Sequence, residues 1–499
     1  MSGAGPQPAR GAVRLLTVFA AAAVFAAAWG ALNPPAPPGP DADLYDDLAV
    51  ARHLLRGDGF LSDTVYPLSL AFPFARDVPQ PLVHRQPAWP LLLTVPVAAA
   101  RDDPEEAVEG ARLLALLLLS LAATAGLAAA SRCGLGEAAL PWLLLLLASP
   151  LLAMTTGWAQ VEAPAGLALS LLWWRLRESP PGDAASWRRG AVDGALAACV
   201  ALVRLDLCWV PWLWLVGRRR LIGRAGVACA VAWTLTLVPW GARNLALTGN
   251  PAFTLQAYAE HLKETPAWPG YSIYQSLSPE PFWQTLARDP ALIATKTLAG
   301  LNWFAARLGR WLPWPLWLAA LLLILPRRVR RYGPTGAPAA NDAAPLRLLV
   351  LTSALLIVQY SALSHTLRYL TVLLPALGLE VWLGLAAWLK ERRPSWPTGA
   401  RALVLALWMA VVQLVAPAHV QGWEDARRDA VRAQADVARA VALARTLPPG
   451  PLFADSSAVL WRAGRAGVWL PSDPAVEAQV RARVPRLAAA PTVRLRDAP

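Results

Sequence analysis

Cysteine is scarce in this 499-residue chain, at four. Cys133, Cys199, Cys208 and Cys229 sit in or beside apolar runs without metal-ligand spacing, which tells against both a disulfide framework and zinc. Charged side chains are scarce too: 16% against 56% hydrophobic, with a mean hydropathy of +0.38. That excludes an ordinary soluble domain. No internal repeat is visible, whereas many transporters are built from inverted repeats with paired broken helices. The apolar run at 15–32 could be a signal peptide or a first span. It lacks a small-x-small cleavage site followed by a soluble domain, which favours an uncleaved span.

What is present is a series of apolar runs approaching the roughly 20 residues that cross a bilayer. A net charge of +13 suggests nucleic acid in a soluble protein. Here the arginines cluster between apolar runs, as topogenic charge does, so no nucleic acid is expected. Arg10 and Arg14 place the N-terminus in the cytoplasm. The alternation then runs through spans near 111–130, 138–154 and 159–174, with Arg175, Arg177, Arg188 and Arg189 cytoplasmic. The run 191–217 contains Arg204 and Asp206; isolated charges at mid-membrane cost ~3 kcal/mol each, so it reads as two short spans meeting outside at Arg204. Spans follow near 227–240, 311–325 (ending at Arg327, Arg328, Arg330 and Arg331), 348–360, 369–389 and 401–417. The total is about eleven, with each Arg-rich short loop on one side. The 25 tryptophans suit interfacial belts. The run 88–100 is too short to span comfortably and is expected at the outer interface or re-entrant, and 292–308 is expected along the membrane. The tail 421–499 changes composition and reads as a small α/β appendage outside the membrane. The domain division is therefore 1–32, a first extracytoplasmic loop at 33–110, a helical membrane domain at 111–420, and the appendage.

The stretch 41–93 is the long polar interruption near the start. Leu44, Leu48, Ala51 and Leu55 form one apolar stripe of a helix, and Asp46, Asp47, His53 and Arg56 fall largely on other faces. The proline-rich run at 33–40 cannot be helical, and Gly57 and Gly59 end the helix. Asp41 stands where an N-cap belongs, which is one reading of it.

The other comes from resemblance. Asp41, Tyr45, then A-x-x-L-L-x-G-x-G-F, followed by R-x-P-x-W-P-L-L-L from Arg85 to Leu93, resembles the first extracytoplasmic loop of the C-type membrane glycosyltransferases, the bacterial group that includes aminoarabinose transferases and protein mannosyltransferases. In that family the Asp four residues before the Tyr is the catalytic base, which implies Asp41. Many relatives carry a second acidic residue directly after it; here Ala42 stands there and Asp43 follows, so a two-carboxylate site for a divalent metal stays open and none is required by the sequence. P-W-G-A-R-N at 239–244, with Arg243 and Asn244, and H-T-L-R-Y-L at 365–370, with His365, Arg368 and Tyr369, are similar to two further family segments. Arg204 in V-R-L-D occupies the place of the family's outer-hairpin arginine.

The resemblance implies an all-α polytopic fold. It also implies transfer of a monosaccharide from a polyprenyl-phosphate donor to a lipid, glycan or protein acceptor at the outer face of the inner membrane. One base suffices because a lipid phosphate departs without protonation, in contrast to the two carboxyl groups of a glycosidase. Guanidinium matches phosphate oxygens bidentately, so Arg85, Arg204, Arg243 and Arg368 are candidate donor contacts; each also reads as an arginine snorkelling to headgroups. Glu162, inside an apolar stretch, reads either as functional or as a helix-packing residue. His365 reads chiefly as a hydrogen-bonded interfacial histidine, and Tyr45 and Trp89 as cavity walls or sugar-stacking aromatics. A lipid or polysaccharide transporter without chemistry is the rival reading.

Overall fold

The structure is a computed structural model that describes residues 8–33, 36–178, 186–324, 343–415 and 418–495. Arg327, Arg328, Arg330 and Arg331 lie outside the described residues. In chain order the helices begin with α1 (Pro8–Leu32), α2 (Asp43–Arg56), α3 (Ala88–Ala99), α4 (Pro104–Arg132), α5 (Ala139–Leu147), α6 (Pro150–Gly157) and α7 (Glu162–Glu178). They continue with α8 (Trp187–Val203), α9 (Trp209–Gly217), α10 (Gly223–Thr248), α11 (Phe282–Arg288), α12 (Pro290–Trp311), α13 (Trp314–Ile324), α14 (Ala344–Leu363), α15 (Leu374–Arg392) and α16 (Thr398–Val415). The tail adds α17 (Ala418–Thr446), α18 (Ser457–Ala463) and α19 (Pro474–Arg483).

Among the described residues four helical segments are long and apolar enough to cross a membrane: Pro104–Arg132, Gly223–Thr248, Ala344–Leu363 and Leu367–Arg392. The expected span at 138–154 is broken between α5 and α6, bent by 62°, where Ser149 caps α6 and Pro150 opens it. The apolar segments 88–99, 205–217 and 314–324 are shorter. The hairpin inferred from Arg204 is present: α8 ends at Val203, a tight turn carries Arg204–Asp206, and α9 leads away. Its other wall is close-packed. A Cβ on Gly190 would meet Ala225 O at 2.0 Å, and one on Gly194 would meet Cys229 O at 2.1 Å, so α8 and α10 touch backbone to backbone, as small residues four apart allow.

Charged groups sort to the two ends of this bundle. At one end Arg175 pairs with Asp193, Arg177 with Glu380 and Arg401 with Glu137. At the other end lie the α8–α9 turn, the segment 249–281 and the start of the turn before α15, all roofed by the first loop.

The first loop and the tail are one structure. Strands β1 (Leu61–Ser62) and β3 (Gln80–Pro81) pair with each other. Strand β2 (Thr64–Val65) instead joins three tail strands, β4 (Leu452–Ala454), β5 (Gly467–Trp469) and β6 (Thr492–Val493), in a parallel sheet of order β2-β5-β4-β6. Ser456 Oγ and the Ala458 N–H donate to Pro40 O at 2.8 and 3.1 Å. The tail therefore shares its sheet with residues 64–65 of the first loop, which its short apolar runs did not announce.

Candidate active site

The site is organised by α2. Asp41 is not its N-cap: the cap is Ala42, which offers no side-chain bond, and helix begins at Asp43. Asp43 and Asp46 fall in the first turn, where carboxylates complement the helix dipole, and Gly57 at φ 82° closes the other end. Leu44 to Ala51 are buried on every side. The apolar stripe packs against α3 and the tail, and the carboxylate face is covered by Arg85 and by the segment that carries Arg368.

Arg85 Nη2 donates to Asp43 Oδ1 at 2.8 Å and to Asp46 Oδ2 at 3.2 Å, and its Nε lies 3.7 Å from Asp47 Oδ1. Arg368 Nη2 reaches the other Asp43 oxygen at 2.7 Å. Burial works to raise the Asp43 carboxyl, but the two guanidinium charges outweigh it and hold the group well below the usual carboxylate range. Asp46 is buried as well; the neighbouring His84, its Nε2 3.6 Å away, and the Arg85 charge bring it below its ordinary value, and Tyr66 OH donates to it at 3.0 Å. Asp47 is pushed up to about 8 by burial, against the pull of Arg85 and with the help of Asp43, Asp46 and Glu162.

Beside this pair lies a cavity lined by Asp43, Asp47, His84, Arg85, Trp89 and, across it, Arg204, Asp206, Arg368 and Tyr369. Arg204 closes its inner wall. It donates to Asp206 twice, at 2.7 and 3.2 Å, and to Glu162 Oε1 at 2.9 Å, and it stacks over the Tyr369 ring at 3.9 Å. Tyr360 OH donates to Asp206 at 2.6 Å. Glu162 also stands 3.7 Å from Arg368. Trp89 donates to Ala159 O at 3.1 Å and is a wall residue.

Arg85, Arg204, Arg368 and Tyr369 therefore share one cavity, with Glu162 immediately behind. The other candidates lie elsewhere. Asp41 is exposed and is not among the lining residues; crowding protein, Asp455 and Asp46 push its carboxyl up to about 7 even though its own side chain keeps a solvent-facing edge. Tyr45 is buried against the tail, with Arg462 5.9 Å above its ring. Arg243 donates to Leu82 O at 2.8 Å, Phe60 O at 3.2 Å and Asn244 Oδ1 at 3.0 Å, fastening the first loop to α10. His365 Nδ1 lies 3.1 Å from Glu264 and its Nε2 3.0 Å from Ser361 O, which is a hydrogen-bonded histidine. The residues not singled out from sequence are Asp43, Asp46, Asp47, His84 and Asp206. For Asp43, Asp46 and Asp47 the signal was three carboxylates within five residues, D-L-Y-D-D, off the apolar stripe of the helix. Among the described residues no three His, Cys, Asp or Glu side chains group so as to hold a metal ion.

This helix bundle, carrying at one end an arginine-lined cavity under short loop helices, is a fold the chain shares with a protein of known structure. The particular likeness is to ArnT from Cupriavidus metallidurans. Its crystal structure bound to undecaprenyl phosphate is matched at TM-score 0.51 and 15% identity, over 96% of this chain and 89% of that one. The apo structure of the same protein is matched at TM-score 0.50 and 15% identity, over 97% and 90%. No family model and no curated protein matches the sequence.

Proposed function

We propose that this chain is a polyprenyl-phosphate-dependent glycosyltransferase that moves a monosaccharide to a lipid, glycan or protein acceptor on the outer face of the inner membrane. The observation that carries the reading is the convergence of Arg85 and Arg368, on one anion at 2.8 and 2.7 Å, at the cavity of a fold shared with a protein crystallised with undecaprenyl phosphate. In this reading the two guanidiniums hold the donor phosphate and neutralise charge as it develops on the leaving oxygen. The acceptor hydroxyl or amine attacks the anomeric carbon from the opposite side, with inversion. A C–O bond to the phosphate breaks as the new glycosidic bond forms, and the acceptor proton passes to Asp41, whose raised carboxyl suits a base working near neutrality. Arg204 and Arg243 support rather than contact the donor: one props the cavity wall and the other anchors the first loop. About eleven spans, a cytoplasmic N-terminus and an extracytoplasmic tail complete the proposal.

The test is mass spectrometry of polyprenyl-phosphate sugars and envelope glycans in a deletion strain, complemented with wild type or Asp41→Asn. Accumulation of a lipid-linked sugar with loss of a decoration, both reversed only by wild type, is expected. Full complementation by Asp41→Asn removes Asp41 from the mechanism. No change in either pool on deletion removes the transferase reading and favours a transporter.

A further inference from the structure

The cavity holds more acid than base. Asp43, Asp47 and Asp206 line it, with Asp46 and Glu162 directly behind, against Arg85, Arg204 and Arg368. Each of these guanidiniums already engages a carboxylate. A phosphate arriving here is one more anion in a largely dehydrated site, where an unpaired charge is strongly disfavoured, so an internal anion has to let go.

The structure separates the carboxylates by how firmly they are held. Asp206 is the more exposed, but two bonds from Arg204 and one from Tyr360 fix it. Asp46 is nearly inaccessible and takes bonds from Tyr66 and Arg85. Glu162 is buried behind Arg204. Asp47 faces Arg85 only at 3.7 Å. Asp43 accepts a hydrogen bond from each of two guanidiniums in distant parts of the chain, one on each oxygen, and among the described residues its side chain has no other hydrogen-bond partner. Its side chain is 17% exposed, on the cavity side, as are Arg85 at 14% and Arg368 at 16%. A carboxylate spanning two guanidinium forks occupies the place that two oxygens of a phosphate would take.

We propose that Asp43 is an exchangeable internal counter-ion that stands in for the donor phosphate. The phosphate enters between Arg85 and Arg368 and takes over their hydrogen bonds, and Asp43 swings free. When the polyprenyl phosphate product leaves, Asp43 returns and blocks rebinding. No covalent bond changes in the exchange. The proposal rests on the donor reading above and assigns Asp43 a task distinct from that of Asp41.

The test is binding of a short-chain polyprenyl phosphate to the full-length protein in detergent, with the phosphate-free polyprenol as the reference ligand. Wild type is compared with Asp43→Asn and Asp43→Ser. Asp77→Asn, at a surface ion pair with Arg486, controls for net charge. Removing a built-in competitor is expected to tighten phosphate-dependent binding about tenfold or more in both Asp43 variants and to leave Asp77→Asn at the wild-type value. Unchanged or weaker binding in folded Asp43 variants overturns the exchange while leaving the donor reading intact. Failure of both variants to fold makes Asp43 a structural keystone and overturns the exchange as well. No preference of wild type for the phosphate over the polyprenol overturns the donor reading itself, and the exchange with it.

Discussion

Arg204→Gln separates two roles that the sequence left open for this residue. By resemblance Arg204 is a donor contact; in the structure it is saturated by Asp206 at 2.7 and 3.2 Å, Glu162 at 2.9 Å and the Tyr369 ring at 3.9 Å. Removing the guanidinium leaves two largely buried carboxylates facing each other with no cation between them, and breaking a buried pair from one side costs about 3–5 kcal/mol. Glu162 keeps a weak contact with Arg368 at 3.7 Å, so the loss belongs toward the lower end. Neutralising the stranded acid in Arg204→Gln/Asp206→Asn should recover part of it, a coupling of about 1–3 kcal/mol. The assay is thermal unfolding of the purified protein in one detergent for wild type, both single variants and the double, with donor KM measured on the same preparations. A wild-type melting temperature in Arg204→Gln together with a raised donor KM would refute the supporting role and restore the phosphate contact. Strict additivity in the cycle would refute the coupling.

The carboxyl of Asp41 is raised to about 7. As a base it works when deprotonated, so kcat/KM should rise with pH through about 7 and level off above; Asp455→Asn, which removes a neighbouring negative charge, should move that limb to lower pH. Arg243→Ala removes the bonds to Leu82 O and Phe60 O and should loosen the first loop, read as faster protease cleavage within 57–87 and a kcat/KM lowered about tenfold or more, as misplacement at a distance can do. Gly194→Leu drives a side chain into the Cys229 carbonyl and should abolish the α8–α10 contact, read as loss of a monodisperse peak on size exclusion, while Gly136→Ala, with open space around it, should be silent.

Sequence alone determined whatever is set locally. Hydropathy and arginine placement gave a polytopic bundle, because apolar length and charge bias act within one segment at a time. The charges at Arg204 and Asp206 put a turn inside an apolar run, and that turn is there. Gly57 ended α2 because only glycine takes its φ of 82° without strain. Periodicity marked Leu44, Leu48 and Ala51 as one buried stripe of α2, with Leu55 at its end exposed, and it left the surroundings of the other faces open, since a 3.6-residue pattern cannot see that another chain segment covers the polar side. The pairing of Asp43 with Arg368, 325 residues away, and that of β2 with β5 depend on how the bundle closes. The same closure separates the arginines: Arg85 and Arg368 reach the cavity, whereas Arg243, on an equally suggestive motif, turns its guanidinium to the carbonyls of Phe60 and Leu82. Motif order reports that these side chains come to one end of the molecule; only tertiary packing decides which of them an incoming anion can reach.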